Sequence, residues 1–513
     1  MDVRLTTSDG SQAALPSDLL DRLASTLPGR LHAPGSPDFD QACTIWNAMI
    51  ERRPGLVVRC SSSADVSQAI RFAHEHDLVL SVRGGGHNIA GSALCDGGLM
   101  LDLSPMNLVE VDPGARTAGV GGGATLADFD GAAQVFGLAT PLGINSTTGV
   151  AGLTLGGGFG WLSRRYGLTI DNLIAAEVVL ASGDVVRASA DEEPDLFWAI
   201  RGGGGNFGVV TSFDFQLHPV GPEVLSGMVI HPLDAARDVL RFYRDFLPTT
   251  PDDFSCWFVM RKAPPLPFLP AEWHGKEILA LAMCYAGPVE DGERVMAPLR
   301  QFGQPIADVV APHPYTAWQT ILDPLLASGA RNYWKSHDFR EVSDGLIDVL
   351  IAHARTLPDP NSEIAMAQLG GAVGRVPESD TAYSHRDGQF VMNVHGRWVD
   401  PAKDDECIGW ARGLFRAAAP FATGSVYVNF LTQEEEDRVR AAYGSNYDRL
   451  VQLKGRWRTV LLVPTVYLAA CVWEARLAVE PSVTRQILVG AILIVMMNAR
   501  PQGLLGTRRV EVV

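Results

Sequence analysis

Runs of glycine constrain this chain more than any other feature of its sequence. The chain has 52 glycines, and four runs of them lie between positions 84 and 208. Glycine has no side chain to cover its backbone N–H groups, so such runs can fold closely around a ligand, especially an anionic one. Short apolar segments such as LVLSV (78–82) lead into or out of the runs. The pattern predicts short strands that end in ligand-binding loops.

The length and the changes in pattern divide the chain into regions. A chain of 513 residues is too long for a single ordinary core. Residues 1–49 are a helical lead-in, and residues 50–220 form an α+β domain that contains the glycine runs. Residues 221–424 alternate long helices with strands, which predicts a sheet covered by helices on one face. Residues 425–458 return to the first domain, and residues 459–513 are an atypical apolar tail.

Composition and charge exclude several classes of function. The net charge of −16 repels phosphate backbones, so nucleic acid is not expected as a partner. The seven cysteines contain no CxxC pair, which argues against a zinc site or a disulfide framework and favours a reducing cytoplasm. The start of the chain has no signal-peptide pattern, so we expect a cytoplasmic protein. From the cysteine spacing we also expect no bound metal.

The loop RGGGHNIAG (83–91) carries the first candidate site residue, His87. Taken alone, the loop could equally be a glycine turn with an incidental surface histidine. The runs in 146–160 and 201–215 add further stretches of exposed backbone. The third run satisfies GxGxxG, but a strand rather than a helix follows it, which disfavours a Rossmann site and an NAD-dependent dehydrogenase. Three such loops suit a long, extended ligand.

The ordered motifs RGGGH, TTGVAGLTLGGGFG, RRYGLTIDN and RGGGGNFGVVT resemble the FAD-binding domain of the vanillyl-alcohol oxidase superfamily, and most closely its berberine bridge enzyme-like branch. The resemblance covers roughly residues 40–457. It implies a two-domain α+β fold with a PCMH-type FAD-binding domain and an antiparallel substrate sheet covered by helices. FAD would lie extended across the first domain, and His87 would bond covalently to a ring methyl group of the flavin.

The resemblance also implies a set of cofactor-binding residues in the glycine loops and the segments that follow them. They are Arg83, Gly84, Gly85, Gly86, His87, Asn88, Gly91, Thr147, Thr148, Gly149, Gly152, Gly156, Gly157, Gly158, Phe159, Gly160, Asp171, Asn172, Gly204, Gly205, Asn206, Gly208 and Val209.

The sequence departs from the family pattern at several positions. Asn145 stands where bicovalent members have a cysteine, so we expect a single covalent bond to FAD. Phe159 and Phe430 stand where many members have tyrosines that assist deprotonation, and phenylalanine has no proton to exchange. Thr148 lies at the position that controls access of oxygen to the flavin.

The strand FVMNVHGRW (390–398) is the best candidate to supply the missing base. Alternate residues share one face of a strand, so Asn393 and His395 point to the same side. Family members place the residue at the Asn393 position against the substrate, and His395 could accept a proton near neutral pH. These two are the predicted catalytic residues, although a structural histidine is an open alternative. Tyr166, Tyr427 and Tyr447 are expected to be structural.

Together these observations predict an FAD-dependent oxidoreductase that takes a hydride from an alcohol, sugar or alkaloid-like small molecule and passes the electrons to molecular oxygen. The alternatives are a flavin-binding protein without turnover and a flavoprotein dehydrogenase with another acceptor. The end of the tail resembles the C-terminus of branched-chain amino-acid transporter permeases, and we expect the tail to lie outside the oxidoreductase fold. Any membrane contact is expected only through the tail.

Overall fold

A computed structural model describes residues 3–456. The prediction for the tail lies outside the described residues. In residues 3–220 the helices are α1 Ser17–Thr26, α2 Pro37–Ala42, α3 Ser63–Glu75, α4 Leu126–Gln134, α5 Val150–Leu155, α6 Ser163–Tyr166 and α7 Pro194–Ile200. The strands there are β1 Val3–Thr6, β2 Gln12–Leu15, β3 Leu31–His32, β4 Leu56–Arg59, β5 Leu80–Arg83, β6 Leu99–Asp102, β7 Val109–Asp112, β8 Thr117–Gly121, β9 Leu138–Ala139, β10 Leu173–Val179, β11 Val185–Ser189, β12 Val209–Gln216 and β13 His218–Pro219.

Two sheets organise this first region. A four-stranded sheet has the order β3-β4-β6-β5, in which β4 and β5 both pair with β6 in parallel. A five-stranded antiparallel sheet has the order β11-β10-β12-β8-β7. Helix α3 begins where the Ser62 side chain accepts a hydrogen bond from the Asp65 N–H, and it buries Val66, Ile70 and Ala73.

A second region is built on one large antiparallel sheet. Its helices and those that follow it are α8 Ala236–Phe246, α9 Val289–Gln301, α10 Tyr315–Gln319, α11 Asp344–Ala354, α12 Asp404–Ala418, α13 Val439–Tyr443 and α14 Tyr447–Arg456. Its strands are β14 Glu223–Pro232, β15 Phe254–Lys262, β16 Glu277–Tyr285, β17 Ala307–Asp308, β18 Ala311–Pro314, β19 Arg331–Phe339, β20 Glu363–Gln368 and β21 Phe390–Trp398. The order is β17-β14-β16-β15-β20-β21-β19, and β18 also pairs with β14.

The two faces of this large sheet bury different residues because side chains alternate along each strand. One face packs residues such as Phe258, Met366 and Met392 against α8, α11 and α12, and these form the largest core cluster. The opposite face carries Trp257 and Val391, which pack against aromatic residues of the glycine-loop region. The predicted sheet with helices on one face is confirmed, and the free face turns toward the glycine loops. The domain boundaries at 50, 221 and 425 stay predictions.

Candidate functional site

The three glycine loops singled out in the sequence come together in the fold. Gly85 lies against Gly149, so close that a Cβ atom on Gly85 would be 2.3 Å from the Gly149 backbone N. The N–H groups of Gly202 and Gly204 donate to the Leu155 carbonyl at 3.1 and 2.8 Å. The first loop therefore adjoins the second, and the second adjoins the third. Only glycine allows the first contact, since any side chain would force two backbones apart.

Part of this joined loop surface stays open to a ligand. A Cβ atom on Gly152 or Gly205 would have no neighbour within 4 Å, and Gly84, Gly85 and Gly204 are half-buried. Exposed backbone from three loops forms a strip that would accommodate a long ligand lying along it. These residues fit an extended cofactor such as FAD.

Other predicted glycines have a different role. A Cβ atom on Gly156 would lie 2.4 Å from the Asn429 side chain, and one on Gly160 would lie 1.9 Å from the Leu142 carbonyl oxygen. The remaining members of this group are packed in the same way against other parts of the protein: Gly91 against Ile50, Gly157 against Tyr383, Gly158 against Thr169 and Gly208 against Val178. The interpretation of these glycines as ligand-facing is corrected: they allow close packing within the protein.

The charged and amide residues on the predicted list are mostly engaged within the protein. Arg83 forms an ion pair through Nη1 with the buried Asp102 at 2.9 Å, whereas its buried Nε has no hydrogen-bond partner among residues 3–456. Asp171 accepts hydrogen bonds from Arg386 on both carboxylate oxygens, at 2.7 and 2.8 Å. Asn172 donates to the Tyr166 and Leu168 carbonyls. The contacts of Asp171 and Asn172 are those of residues that fix loops, so we no longer assign cofactor binding to these two, whereas the role of Arg83 stays a prediction.

The other predicted positions line or support the loops. Gly86 has a positive φ of 69°, and its carbonyl accepts a hydrogen bond from Trp46 N. Asn88 is exposed, and its side chain accepts a hydrogen bond from Ser92 N. The Thr148 N–H donates to the Asn145 carbonyl. Two further members are buried, Asn206 in the third loop and Val209 at the start of β12.

His87 lies at the end of the first loop with its ring held on two sides. The indole of Trp46 stacks on the imidazole, with ring centroids 5.3 Å apart and an interplanar angle of 21°. The Nε2 atom lies 2.8 Å from Thr147 Oγ1, in the second loop. The sequence analysis identified His87 and Thr147, whereas Trp46 lies 41 positions away in the N-terminal lead-in.

A chain of hydrogen bonds determines which nitrogen of His87 carries the proton. Asn145 Oδ1 accepts from the Thr147 N–H at 3.1 Å, and this fixes the acceptor as the amide oxygen. The Thr147 hydroxyl donates its only proton to the same oxygen at 2.7 Å. Its oxygen must therefore accept from His87, so Nε2 carries the proton and Nδ1 has the lone pair.

The electrostatic environment keeps the imidazole neutral. Burial, helped by the positive charge of Arg83, lowers the pKa of His87 from 6.5 to about 4. Above that pH the ring is a neutral imidazole, which is the nucleophilic form. The neutral charge, the fixed tautomer and the fixed plane leave the lone pair of His87 Nδ1 unprotonated and its direction set.

Asn393 lies on the free face of the large sheet in a row of short side chains. Pairing between neighbouring strands places Val259, Ala365, Asn393 and Ser336 side by side across β15, β20, β21 and β19. We call these four residues the floor row. The first three are half-buried, whereas Met392 is fully buried on the helix-covered face. The predicted orientation of Asn393 toward the free face agrees with this register.

His395 lies in the next row, but its environment does not support a catalytic base. Its Nε2 lies 2.9 Å from Asn332 Oδ1 and its Nδ1 lies 3.4 Å from Glu363 Oε1, so both ring nitrogens face protein groups. Burial lowers its pKa, and Glu363 opposes this shift only in part. The prediction that His395 takes a proton from the substrate is corrected on this ground. It is a positioning residue, and its ring lies 6.0 Å from that of Trp46.

Aromatic side chains surround the region where the sheet face meets the loops. Phe430 lies 5.1 Å from Trp334 and 6.0 Å from Phe159, measured between ring centroids. Tyr427 is buried, and its hydroxyl oxygen accepts from Gly158 N at 3.1 Å and from Asn429 Nδ2 at 3.0 Å. Burial raises its pKa to about 12, which agrees with the structural role predicted for it.

Sequence reasoning missed several residues of this site. Trp334 and Ser336 have no motif around them and reach the site only through strand pairing. Lys454 is a half-buried lysine beside the third glycine loop: its Nζ donates to Asn206 Oδ1 at 3.3 Å, and desolvation lowers its pKa to about 7. The lysine follows the glycine loop by 248 positions, so only the fold brings them together.

Residues 3–456 contain neither a candidate metal site nor a candidate membrane-spanning helix. In that part of the chain, no group of His, Cys, Asp and Glu side chains is arranged to hold a metal ion. None of the helices described there has the length and apolar character needed to cross a membrane.

Comparison with known proteins gives two family matches. Residues 54–189 match the family described as FAD binding domain, and residues 426–457 match the family described as berberine and berberine like. The FAD-linked oxidoreductase YgaK of Bacillus subtilis is 30% identical over 435 residues, which cover 83% of this chain and 94% of that protein. The (R)-6-hydroxynicotine oxidase of Paenarthrobacter nicotinovorans is 35% identical over 392 residues, covering 74% and 82%.

Solved structures agree with these matches. The 6-hydroxy-D-nicotine oxidase of Arthrobacter nicotinovorans has a TM-score of 0.76 and 28% identity, covering 84% of this chain and 95% of that chain. The berberine bridge enzyme-like protein 1 of Physcomitrella patens has a TM-score of 0.77 and 23% identity, covering 85% and 96%. The predicted two-domain α+β fold of the PCMH type is confirmed. The comparisons do not bear out the resemblance of the tail to transporter permeases.

Proposed function

The chain belongs to the berberine bridge enzyme-like family of FAD-linked oxidoreductases, and on that premise we propose that it is an oxidase with FAD bonded covalently to His87. Its substrate is a small molecule with an alcohol or amine group, and molecular oxygen is the final electron acceptor. When bound, FAD supplies the acceptor for a hydride, while the protein supplies binding and orientation. The observation that carries the proposal is the neutral, oriented imidazole of His87 where the glycine loops join.

The hydrogen-bond chain from Asn145 through Thr147 selects Nδ1 of His87 as the atom that bonds to FAD. When bound, FAD would supply the ring-methyl carbon and His87 the Nδ1 lone pair for this bond. The methyl group and the imidazole would each give up one hydrogen, and molecular oxygen would take up both, with two electrons, as hydrogen peroxide. Asn145 cannot form the second bond that a cysteine makes at this position. It acts instead as a positioning residue, since its side-chain oxygen fixes the direction of the Thr147 hydroxyl.

Two groups of residues would hold the cofactor and the substrate. The exposed backbone at Gly84, Gly85, Gly152, Gly204 and Gly205 would lie along FAD. Lys454 would place positive charge beside the third loop, where an anionic group of the cofactor could balance it. The free face of the large sheet would receive the substrate, with Asn393 at its centre.

The proposal is tested by an absorption spectrum of the purified full-length protein, recorded before and after acid precipitation. We expect a flavin spectrum in the native protein and a yellow pellet with a colourless supernatant after precipitation. A colourless native protein would contradict FAD binding. A yellow supernatant would contradict the covalent bond and leave FAD binding intact. Hydrogen peroxide released during turnover would identify oxygen as the acceptor.

The rate of covalent attachment should depend on pH in a way that reports the state of His87. The pKa of about 4 means that Nδ1 keeps its lone pair down to pH 5, where an ordinary histidine is mostly protonated. With apoprotein and added FAD, we expect a rate that is nearly constant from pH 8 to pH 5 and that falls as the pH approaches 4. The amount of flavin retained on the denatured protein over time measures this rate. A rate that halves near pH 6.5 would show that the imidazole is not held in a neutral state.

A second candidate function is flavin binding without turnover, which the two phenylalanines favour. Phe159 and Phe430 have no hydroxyl group with which to assist deprotonation of a substrate. Anaerobic mixing with a panel of alcohols and amines separates the two candidates. Bleaching of the flavin absorbance by any member of the panel establishes turnover.

A further inference from the structure

Strand register implies a shallow groove on the free face of the large sheet, with a row of short side chains as its floor. The floor row consists of Val259, Ala365, Asn393 and Ser336, all of which have short side chains. The row beside it contains the long side chains Arg261, Glu363, His395 and Trp334. Because short residues lie next to long ones on the same face, the floor row is recessed. Its half-buried residues show that the recess is partly open.

Three polar atoms on this floor or at its edge have no hydrogen-bond partner among residues 3–456. Asn393 Oδ1, Ser336 Oγ and Trp334 Nε1 are buried and have no hydrogen-bond partner among residues 3–456. Asn393 and Ser336 are direct cross-strand neighbours, so two of these atoms come from one place on the floor. Leaving a buried polar atom unpaired costs about 1–3 kcal/mol, which a bound molecule can recover. The three atoms therefore indicate a ligand, and they offer one acceptor, one donor and one hydroxyl.

The charged groups beside the floor are already paired within the protein. Arg261 Nη1 donates to Glu363 Oε2 at 2.7 Å, and His395 faces the other oxygen of the same carboxylate. Arg397 donates to Asn332 Oδ1 at 2.8 Å. Asp338, one row away on the other side, accepts from the Ser425 hydroxyl through Oδ2, its Oδ1 has no partner among residues 3–456, and burial raises its pKa toward the neutral form. A charged ligand group would thus meet no free countercharge from these residues.

Trp334 and Phe430 give one edge of the groove an aromatic wall. Trp334 is half-buried at the edge of the floor, and Phe430 packs edge-on against it. The floor itself includes Val259 and Ala365, which offer only apolar surface. Aromatic rings at such positions bind flat apolar molecules by stacking. A sugar would bring many hydroxyl groups to a surface that can satisfy only about three, and each unsatisfied group is unfavourable.

We propose that this groove binds a flat, uncharged aromatic or polycyclic alcohol, whose O–H group donates to Asn393 Oδ1 and contacts Ser336 Oγ. The assignment rests on the proposed function and narrows it from alcohols, sugars and alkaloids to one class. Asn393 positions the alcohol carbon through this hydrogen bond, and Ser336 is a further specificity-determining residue. Oligosaccharides and carboxylates are disfavoured as substrates.

Binding of non-oxidisable probes tests the assignment apart from turnover. The probes are 2-naphthol, which is flat and has an O–H group, 2-methoxynaphthalene, which lacks the O–H group, and cellobiose, which is polyhydroxylated. Calorimetric titration of the full-length protein should show binding of 2-naphthol, about tenfold weaker binding of 2-methoxynaphthalene, and tighter binding of 2-naphthol than of cellobiose. Failure of 2-naphthol to bind, or tighter binding of cellobiose, would overturn the proposed class.

Variants of the floor residues test where 2-naphthol binds. Asn393→Ala should weaken 2-naphthol about tenfold and leave 2-methoxynaphthalene unchanged, and Ser336→Ala should act in the same direction. Ala365→Leu should block both probes because it fills the floor. Met392→Leu, on the helix-covered face of the same strand, is the matched control and should bind 2-naphthol as the wild type does. Equal affinity of 2-naphthol for the wild type and for Asn393→Ala and Ser336→Ala would place the probe elsewhere and overturn the proposal.

The same samples separate this proposal from the proposed function. Each variant is checked for its flavin absorbance before titration. A wild-type protein without flavin absorbance contradicts the proposed function. A flavin-containing wild type that binds cellobiose more tightly than 2-naphthol contradicts only the substrate class.

Discussion

In the His87→Ala variant, FAD is expected to leave the polypeptide completely on acid precipitation, while the wild type retains it in the pellet. The imidazole is neutral, stacked on Trp46 and oriented through Thr147, and alanine removes the nitrogen proposed to form the bond. Asn145 cannot replace it, since an amide does not form the second linkage. The measurement is flavin absorbance in pellet and supernatant, with the protein quantified separately.

A graded variant distinguishes attachment from general damage to the loop. Thr147→Val keeps the imidazole but removes the hydroxyl that fixes its tautomer, and should slow attachment about tenfold without abolishing it. Thr356→Val, an exposed threonine on the far side of the second region, is the control and should attach FAD at the wild-type rate. Covalent flavin retained in His87→Ala would move the attachment site to another residue.

Arg386→Met should lower the free energy of unfolding by about 3–5 kcal/mol, the largest stability effect that we expect from one side chain. Arg386 and Asp171 form a two-pronged ion pair with side chains only 3% and 7% exposed. The pair joins the loop after α6 to the loop before β21, and so links the first region to the large sheet. Removing the cation leaves the Asp171 carboxylate buried without its partner.

The matched control is the neighbouring pair between Arg340 and Asp387. Its side chains are 72% and 52% exposed, so Arg340→Ala should change the stability by less than about 0.5 kcal/mol. The double variant Asp171→Leu/Arg386→Met should be more stable than Arg386→Met alone, because no single charge stays buried. Urea denaturation followed by tryptophan fluorescence measures all of these variants. Equal midpoints for Arg386→Met and Arg340→Ala would show that the buried pair does not hold the two regions together.

Much of the architecture followed from periodicity. The strand at 390–398 and the alternation of helices with strands over 221–424 are present where the sequence pattern predicted them. Local patterns of this kind report which face of an element is buried, and burial is what forms the element. Glycine runs are equally local, so the three loops and His87 could be identified before any contact was known.

The role of each glycine could not be predicted from the runs. Gly152 and Gly160 look alike in the sequence, yet one faces open space and the other fits under the Leu142 carbonyl. A missing side chain permits a close approach, but the sequence does not say whether a ligand or the protein itself makes that approach. For the same reason Arg83 and Asp171, which are typical ligand-binding types, turned out to be paired within the fold.

The sequence by itself determined the fold class, the family, the glycine loops and the histidine proposed as the attachment site, because these depend on residue order over short distances. Only the tertiary structure decided the tautomer of His87, the exclusion of His395 as a base and the recessed floor that contains Asn393 and Ser336. Each of those depends on groups far apart in the chain, such as Asn332 beside His395, 63 positions away. A side chain's protonation and reactivity are set by its neighbours in space, and strand register, which no local pattern encodes, chooses those neighbours.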